Sequence, residues 1–239
     1  MEKIDILGTK IDVLGLKESV KIISEGVATG QELRIVTANP ELIYSAQKNE
    51  ELQKIINTAD LVLPDGIGVV WAARQFGYRL PERVTGIDLT LRLLEEGNQR
   101  RWRIFLLGAR PGVPEKAVTE LYRVYPGVVL SGHHGYFSKE KEPLVIERIR
   151  KFAPDILLVG LGAPRQELFN AANQGLAMVR MGVGGTIDVL SGEVKRAPQF
   201  YRDNKLEWLY RLAANPSRIR RQAVLPLYVL RVLWKKYRQ

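Results

Sequence analysis

The sequence contains no cysteine and only two histidines, and these shortages remove several chemistries at once. Without thiols there is no disulfide framework, no thiolate metal site and no cysteine nucleophile. His133 and His134 are adjacent, so in an extended segment their rings would point to opposite faces, which argues against joint grip on one metal ion. No two aspartates stand at i, i+2, so the Asp-x-Asp pair with which many sugar-nucleotide enzymes hold a divalent ion is missing. Gly-Lys-Ser/Thr is absent, as is Gly-x-Ser-x-Gly, which counts against P-loop and α/β-hydrolase chemistry. No stretch approaches the roughly 20 apolar residues that a membrane-spanning helix needs. The opening MEKIDILGTKIDVLG mixes acidic, basic and apolar residues instead of the basic-then-apolar order of a secretion signal, so a cytoplasmic protein is expected.

What is present is a chain of 239 residues, 46% of them hydrophobic, enough for one sizeable α/β domain with a small appendage. Its net charge of +10 is unevenly placed. Residues 1–194 carry 24 basic and 24 acidic side chains, while residues 195–239 carry 12 basic and 2 acidic. The tail also interleaves aromatics such as Trp208, Tyr228 and Trp234 with Arg211, Arg218, Arg221 and Arg231. Such a segment fits a membrane surface, where aromatic rings rest at headgroup level and each cation adds about 1 kcal/mol near anionic lipid. A solvated helix pair, or nucleic-acid binding through the same charges, explains the composition as well. The run Ala223 to Leu230 is expected to be short, broken by Pro226. A division into residues 1–195 and a helical tail over residues 196–239 follows.

Within the body, short β-rich runs alternate with helical ones. Lys3 to Leu7 and Lys10 to Leu14 read as a hairpin turned at Gly8, followed by a helix over Leu16 to Ala28. Strands are predicted at Leu33 to Thr37, Leu61 to Leu63, Arg103 to Leu107, Val128 to Leu130, Ile156 to Val159 and Met178 to Met181. The alternation predicts a Rossmann-like α/β fold, an open and mostly parallel sheet with helices on both faces. Ligands of such sheets bind beyond the carboxyl ends of the strands, which makes the exit loops the place to look.

Those loops are TANPE (Thr37 to Glu41), LPDG (Leu63 to Gly66), LLGARPG (Leu106 to Gly112), SGHHGYF (Ser131 to Phe137), VGLGAPRQE (Val159 to Glu167) and MGVGGTID (Met181 to Asp188). Gly160 and Gly162 before Pro164, Arg165 and Gln166 suit an anion site at a helix start or a tight turn. Gly108 opens a second loop of the same plan. Gly184 and Gly185 read as close packing of a strand on a helix. Asp65, after an apolar strand, is placed to take a proton from a hydroxyl nucleophile, or else to cap the following helix. Thr37, Asn39 and Glu41 occupy another strand exit, with Pro40 at a helix start that Thr37 or Asn39 would cap.

Taken in order, TANPE, LPDGIGVVWAAR, ERVTGIDL, LLGARPGV, GHHGYF, DILLVGLGAPRQE and GVGGTIDVLSGEVKRAP resemble the WecG/TagA/CpsF glycosyltransferases, glycosyltransferase family 26, and most of all its TagA branch. The likeness runs from Thr37 into the basic tail. It implies an inverting transfer of N-acetylmannosamine from UDP-N-acetylmannosamine to N-acetylglucosamine on undecaprenyl diphosphate, with a β-1,4 product, at the start of the wall teichoic acid linkage unit. It implies no metal or other cofactor. By the same resemblance Asp65 is the general base and Thr37 a further catalytic residue, while Asn39, Arg83, Gly108, Tyr136, Gly162, Arg165 and Gln166 serve the donor. Arg211, Arg218 and Arg221 of the tail would reach the acceptor's diphosphate at the inner face of the membrane. Partners are then the UDP-sugar, the polyprenyl-linked acceptor and the membrane surface, with self-association as a way to cover an apolar tail and with no nucleic acid. Related UDP-hexose or N-acetylmannosaminuronic acid donors remain open, as does a dehydrogenase, which the degenerate glycine pattern disfavours.

Overall fold

A computed structural model describes residues 1–203, 209–210 and 223–238. It opens with the expected hairpin, β1 (Lys3–Ile6) and β2 (Thr9–Asp12), paired antiparallel with Ile6 opposite Thr9. The two turn residues Leu7 and Gly8 have φ of 55° and 90°, the double positive φ whose twist matches two-residue hairpins. Helix α1 (Leu16–Thr29) then leads into β3 (Leu33–Ala38), α2 (Pro40–Ala46), α3 (Glu50–Asn57), β4 (Leu61–Pro64) and α4 (Ile67–Gln75). The chain continues through α5 (Gly86–Arg100), β5 (Arg103–Gly108), α6 (Val113–Val124), β6 (Val129–His133), α7 (Glu142–Phe152), β7 (Ile156–Gly160), α8 (Arg165–Ala172), β8 (Val179–Gly182) and α9 (Thr186–Leu190). Beyond them lie α10 (Gln199–Asp203) and α11 (Val224–Tyr237). Pro226 does not break its run: it stands in the first turn of α11, where its missing N–H has no helical partner to lose.

β3 to β8 form one six-stranded sheet in the order β4-β3-β8-β7-β5-β6, with every neighbouring pair parallel. Burial on both faces explains why β7 reads as an unbroken apolar run, since a parallel sheet is covered by helices above and below. Alternate residues split accordingly. Ile104, Leu106 and Leu158 pack with the side chains of α5, α6 and α9, while Phe105, Leu157 and Val159 pack with those of α7 and α8. Toward the β3–β4 edge the second face is covered by the hairpin, α2, α3, α4 and α11.

The sheet order creates a switch point. β5 crosses to β6 on one side, β7 crosses to β8 on the other, and α6 and α8 therefore leave on opposite faces of adjacent strands. At this crevice Gly108 pairs with Gly160. Gly108 has φ +149°, and a Cβ there would lie 2.5 Å from the Gly160 carbonyl oxygen. Gly108→Ala is therefore expected to cost about 2–4 kcal/mol from backbone strain and overpacking, read as a lowered midpoint in thermal or urea unfolding. A midpoint within error of wild type would show that the strands part without cost.

Candidate active site

The loops after all six strands of the sheet meet around one cavity of about 1280 Å³, and α11 supplies a further wall through Val224, Leu225, Tyr228 and Val229. A glycine lets two helices converge on it. Gly68 in α4 stands so close to Pro40 of α2 that a Cβ would come within 2.7 Å of the proline ring. The α2 and α4 N-termini thus open side by side, with their positive dipole ends toward the cavity.

Asp65 lines this cavity and is half-buried. Its N–H donates to the Ala38 carbonyl at 2.9 Å, which prolongs the β3–β4 ladder by one residue and fixes where the side chain starts. The N-cap of α4 is Gly66, at φ +99°, so Asp65 stands one residue before the cap position. The segment that follows is fastened to the same strand, with Val84 N–H on the Pro64 carbonyl at 2.8 Å. Arg83 is thereby held half-buried in the cavity wall, while Thr85 caps α5.

Thr37 and Asn39 reach the cavity from β3. The Thr37 hydroxyl donates to the Gly182 carbonyl at 2.9 Å, which leaves its lone pairs, not its proton, for a ligand. Asn39 caps α2 by accepting from Leu42 N–H at 2.9 Å, so it would serve a ligand through its amide nitrogen. Both duties suggested by the sequence, capping and lining, fall on this one residue.

The donor-side residues divide by geometry. Gly162, at φ +78°, lines the cavity, and so does Tyr136 at its mouth, 70% exposed. Gly108 is not among the lining residues; its place is the close β5–β7 approach. Arg165 donates to the Gly135 carbonyl at 2.9 Å and stacks 4.6 Å over Phe137, so it braces the β6 exit loop against the β7 exit loop while one side faces the cavity. Gln166 is buried, accepts from Gly184 N–H at 3.1 Å and donates to Glu167 Oε1 at 2.8 Å. Each end of its amide is held by one bond, which fixes its orientation and leaves one N–H and one lone pair for a ligand. Arg211, Arg218 and Arg221 lie outside the described residues.

Two expectations need correction. Gly184 and Gly185 line the cavity instead of packing a strand on a helix, and Gly184 faces open space at φ +53°, so its backbone conformation is what calls for glycine. His133 and His134 do not point apart: β6 ends at His133, the chain turns, and the rings lie 4.4 Å apart. Burial holds the His133 imidazole below its ordinary pKa, and its Nδ1 lies 2.8 Å from the His134 carbonyl oxygen. Among the described residues, no three His, Cys, Asp or Glu side chains converge as a metal-binding group.

The sequence did not single out Glu167 or Tyr228, and both are buried on the cavity wall. Glu167 stands in the first turn of α8, a place where a glutamate is ordinarily solvated. Tyr228 looked like an interfacial aromatic. Its ring instead packs into the core beside α2 and α4, as does Val232, and burial pushes its hydroxyl well above the usual tyrosine pKa. The ion pair of Lys235 with Asp5 at 2.8 Å and the ion pair of Arg196 with Asp88 tie the tail to the body at two further points.

This cavity can hold a sugar nucleotide between glycine-bearing loops and helix N-termini, with a carboxylate at the rim of the sheet. Comparison with known proteins agrees. The model of the glycosyl transferase WecG/TagA/CpsF family matches residues 4–239. A Bacillus spizizenii protein named N-acetylglucosaminyldiphosphoundecaprenol N-acetyl-beta-D-mannosaminyltransferase is 41% identical over 202 residues, 83% of this chain and 78% of that protein. A Staphylococcus aureus protein of the same name is 37% identical over 234 residues, 96% of this chain and 92% of its own. With a family match over nearly its whole length, and with the family's motifs gathered around one cavity, the chain belongs to the WecG/TagA/CpsF family of glycosyl transferases.

Proposed function

We propose that this protein transfers N-acetylmannosamine from UDP-N-acetylmannosamine to the 4-hydroxyl of N-acetylglucosamine carried on undecaprenyl diphosphate, with inversion and without a metal. The observation that carries the reading is the Asp65 carboxyl on the cavity wall, next to the α4 N-terminus, in a protein whose relatives bear that transferase name. In the transfer, Asp65 accepts the proton of the acceptor hydroxyl as its oxygen forms the new bond to the anomeric carbon. The bond from that carbon to the UDP oxygen breaks, and the electron pair leaves with the diphosphate. Helix dipoles, backbone N–H groups and arginines are the groups that would stabilise the leaving charge, with Arg83 in the wall and Arg211, Arg218 and Arg221 as candidates from the tail.

The acceptor's polyprenyl chain stays in lipid, and among the described residues no helix is long and apolar enough to cross a membrane. Helix α11 offers the attachment instead. Leu227, Leu230 and Trp234 are exposed on it, three and four residues apart and therefore on one face, beside Arg231 and Lys235. This composition supports peripheral binding at the inner face of the membrane, with the helix docked against the cavity it serves.

Titration with UDP, NAD and an oligonucleotide separates this reading from its rivals. UDP is expected to bind, while NAD and the oligonucleotide should not compete with it. Incubation of UDP-N-acetylmannosamine with a short-chain lipid diphosphate acceptor should then release UDP. Binding of NAD or oligonucleotide without UDP would overturn the proposal.

A further inference from the structure

Nine buried side-chain atoms lack a hydrogen-bond partner among the described residues, and only two of them, Glu167 Oε2 and Tyr228 Oη, belong to residues that line the cavity. Leaving a buried polar atom unpaired costs about 1–3 kcal/mol, and more for a charged group, so such an atom calls for an explanation. Glu167 is 2% exposed. Its other oxygen is held by Gln166, which is itself held by Gly184 N–H, so the carboxyl cannot swing away to find water. Gly182 lies directly against this pair: a Cβ there would be 2.7 Å from Gln166 Nε2 and 3.3 Å from Glu167 Oε1. The carbonyl of the same glycine takes the Thr37 hydroxyl. Glu167 and Thr37 thus line the same cavity with Gly182 as a shared neighbour, and Thr37 is one residue in sequence from Ala38, on whose carbonyl the Asp65 backbone is anchored.

We infer that Glu167 binds the sugar of the nucleotide donor, with Oε2 paired to a sugar hydroxyl or to the acetamido N–H. The inference rests on the sugar-nucleotide reading above and adds a residue to it. A carboxyl group repels a diphosphate, so it belongs to the sugar end of the donor. One oxygen is held by Gln166 and the carboxyl is enclosed, which suits selection: a buried partner left unpaired by the wrong sugar penalises that sugar. Burial also pushes the Glu167 carboxyl above the usual carboxylate range.

The test compares Glu167→Gln and Glu167→Ala with wild type for affinity to UDP and to UDP-N-acetylmannosamine, with thermal unfolding measured in parallel. Both variants are expected to lose about 10- to 100-fold in UDP-sugar affinity, the size of a hydrogen bond to a charged group, while UDP affinity stays within about twofold. If the alanine variant does not fold, the isosteric glutamine carries the comparison. Equal losses for UDP and UDP-sugar, no loss, or unfolding of both variants would make Glu167 a structural residue and overturn the inference. A wild-type protein that takes no UDP-sugar would refute the function reading and this inference together, whereas a wild type that turns over beside unchanged variants refutes the inference alone.

Discussion

Asp65→Asn is expected to lower turnover by about 10²- to 10⁴-fold, the range a positioned general base supplies, while UDP affinity stays within about twofold. Asparagine has the shape of aspartate but cannot take a proton at neutral pH. The backbone N–H of this residue stays on the Ala38 carbonyl and α4 keeps Gly66 as its N-cap. Thermal unfolding measured in parallel separates loss of chemistry from loss of fold. The measurement is kcat at saturating donor and acceptor, with UDP binding by calorimetry as the control. Turnover within about tenfold of wild type would remove Asp65 from the mechanism and leave some other group to accept the proton.

Ending the chain before Arg196 should abolish transfer to a lipid-linked acceptor and also lower stability. The first effect is expected because α11 forms one wall of the cavity and carries the exposed apolar and basic face proposed to meet the membrane. The second follows from Tyr228 and Val232, both buried against α2 and α4, where full burial of such a side chain contributes about 1.5–3 kcal/mol. All six strands and helices α1 to α9 are kept and only the α11 part of one face is lost, so the truncated chain should still unfold cooperatively, at a lower temperature. Assays with a membrane-embedded acceptor, together with a melting curve, read both outcomes. An active truncated protein would refute the role given to the tail. A point substitution, Val232→Asp, tests the docking itself, since it places an unpaired charge at a fully buried position.

The parallel sheet was legible because its strands are apolar on both faces, as in Ile156–Val159, and because glycine, proline or a capping residue ends nearly every one. Asp65 was legible for the same reason: a polar residue directly after LVLP can only emerge at the carboxyl edge. The cap position itself fell on Gly66, whose φ of +99° is invisible in a string of letters. Arg165 and Gln166 were recognised as important residues of their loop, yet what they hold, one the Phe137 loop and the other Gly184, depends on which strands become neighbours. Glu167 was passed over because a glutamate in a first helical turn is ordinarily solvated, and its burial comes from β8 packing against α8.

The order of apolar, polar and glycine residues alone thus determined the fold class, the edge of the sheet where chemistry is placed and the separation of a neutral body from a basic tail, because these depend on local period and composition. The tertiary structure decided which side chains meet: that α11 closes the cavity with Tyr228, that Gly182 lies between Thr37 and Glu167, and that a carboxyl oxygen is left unpaired there. Such contacts join residues far apart in the chain, and burial, which sets their energies, is a property of the assembled layers and not of any segment.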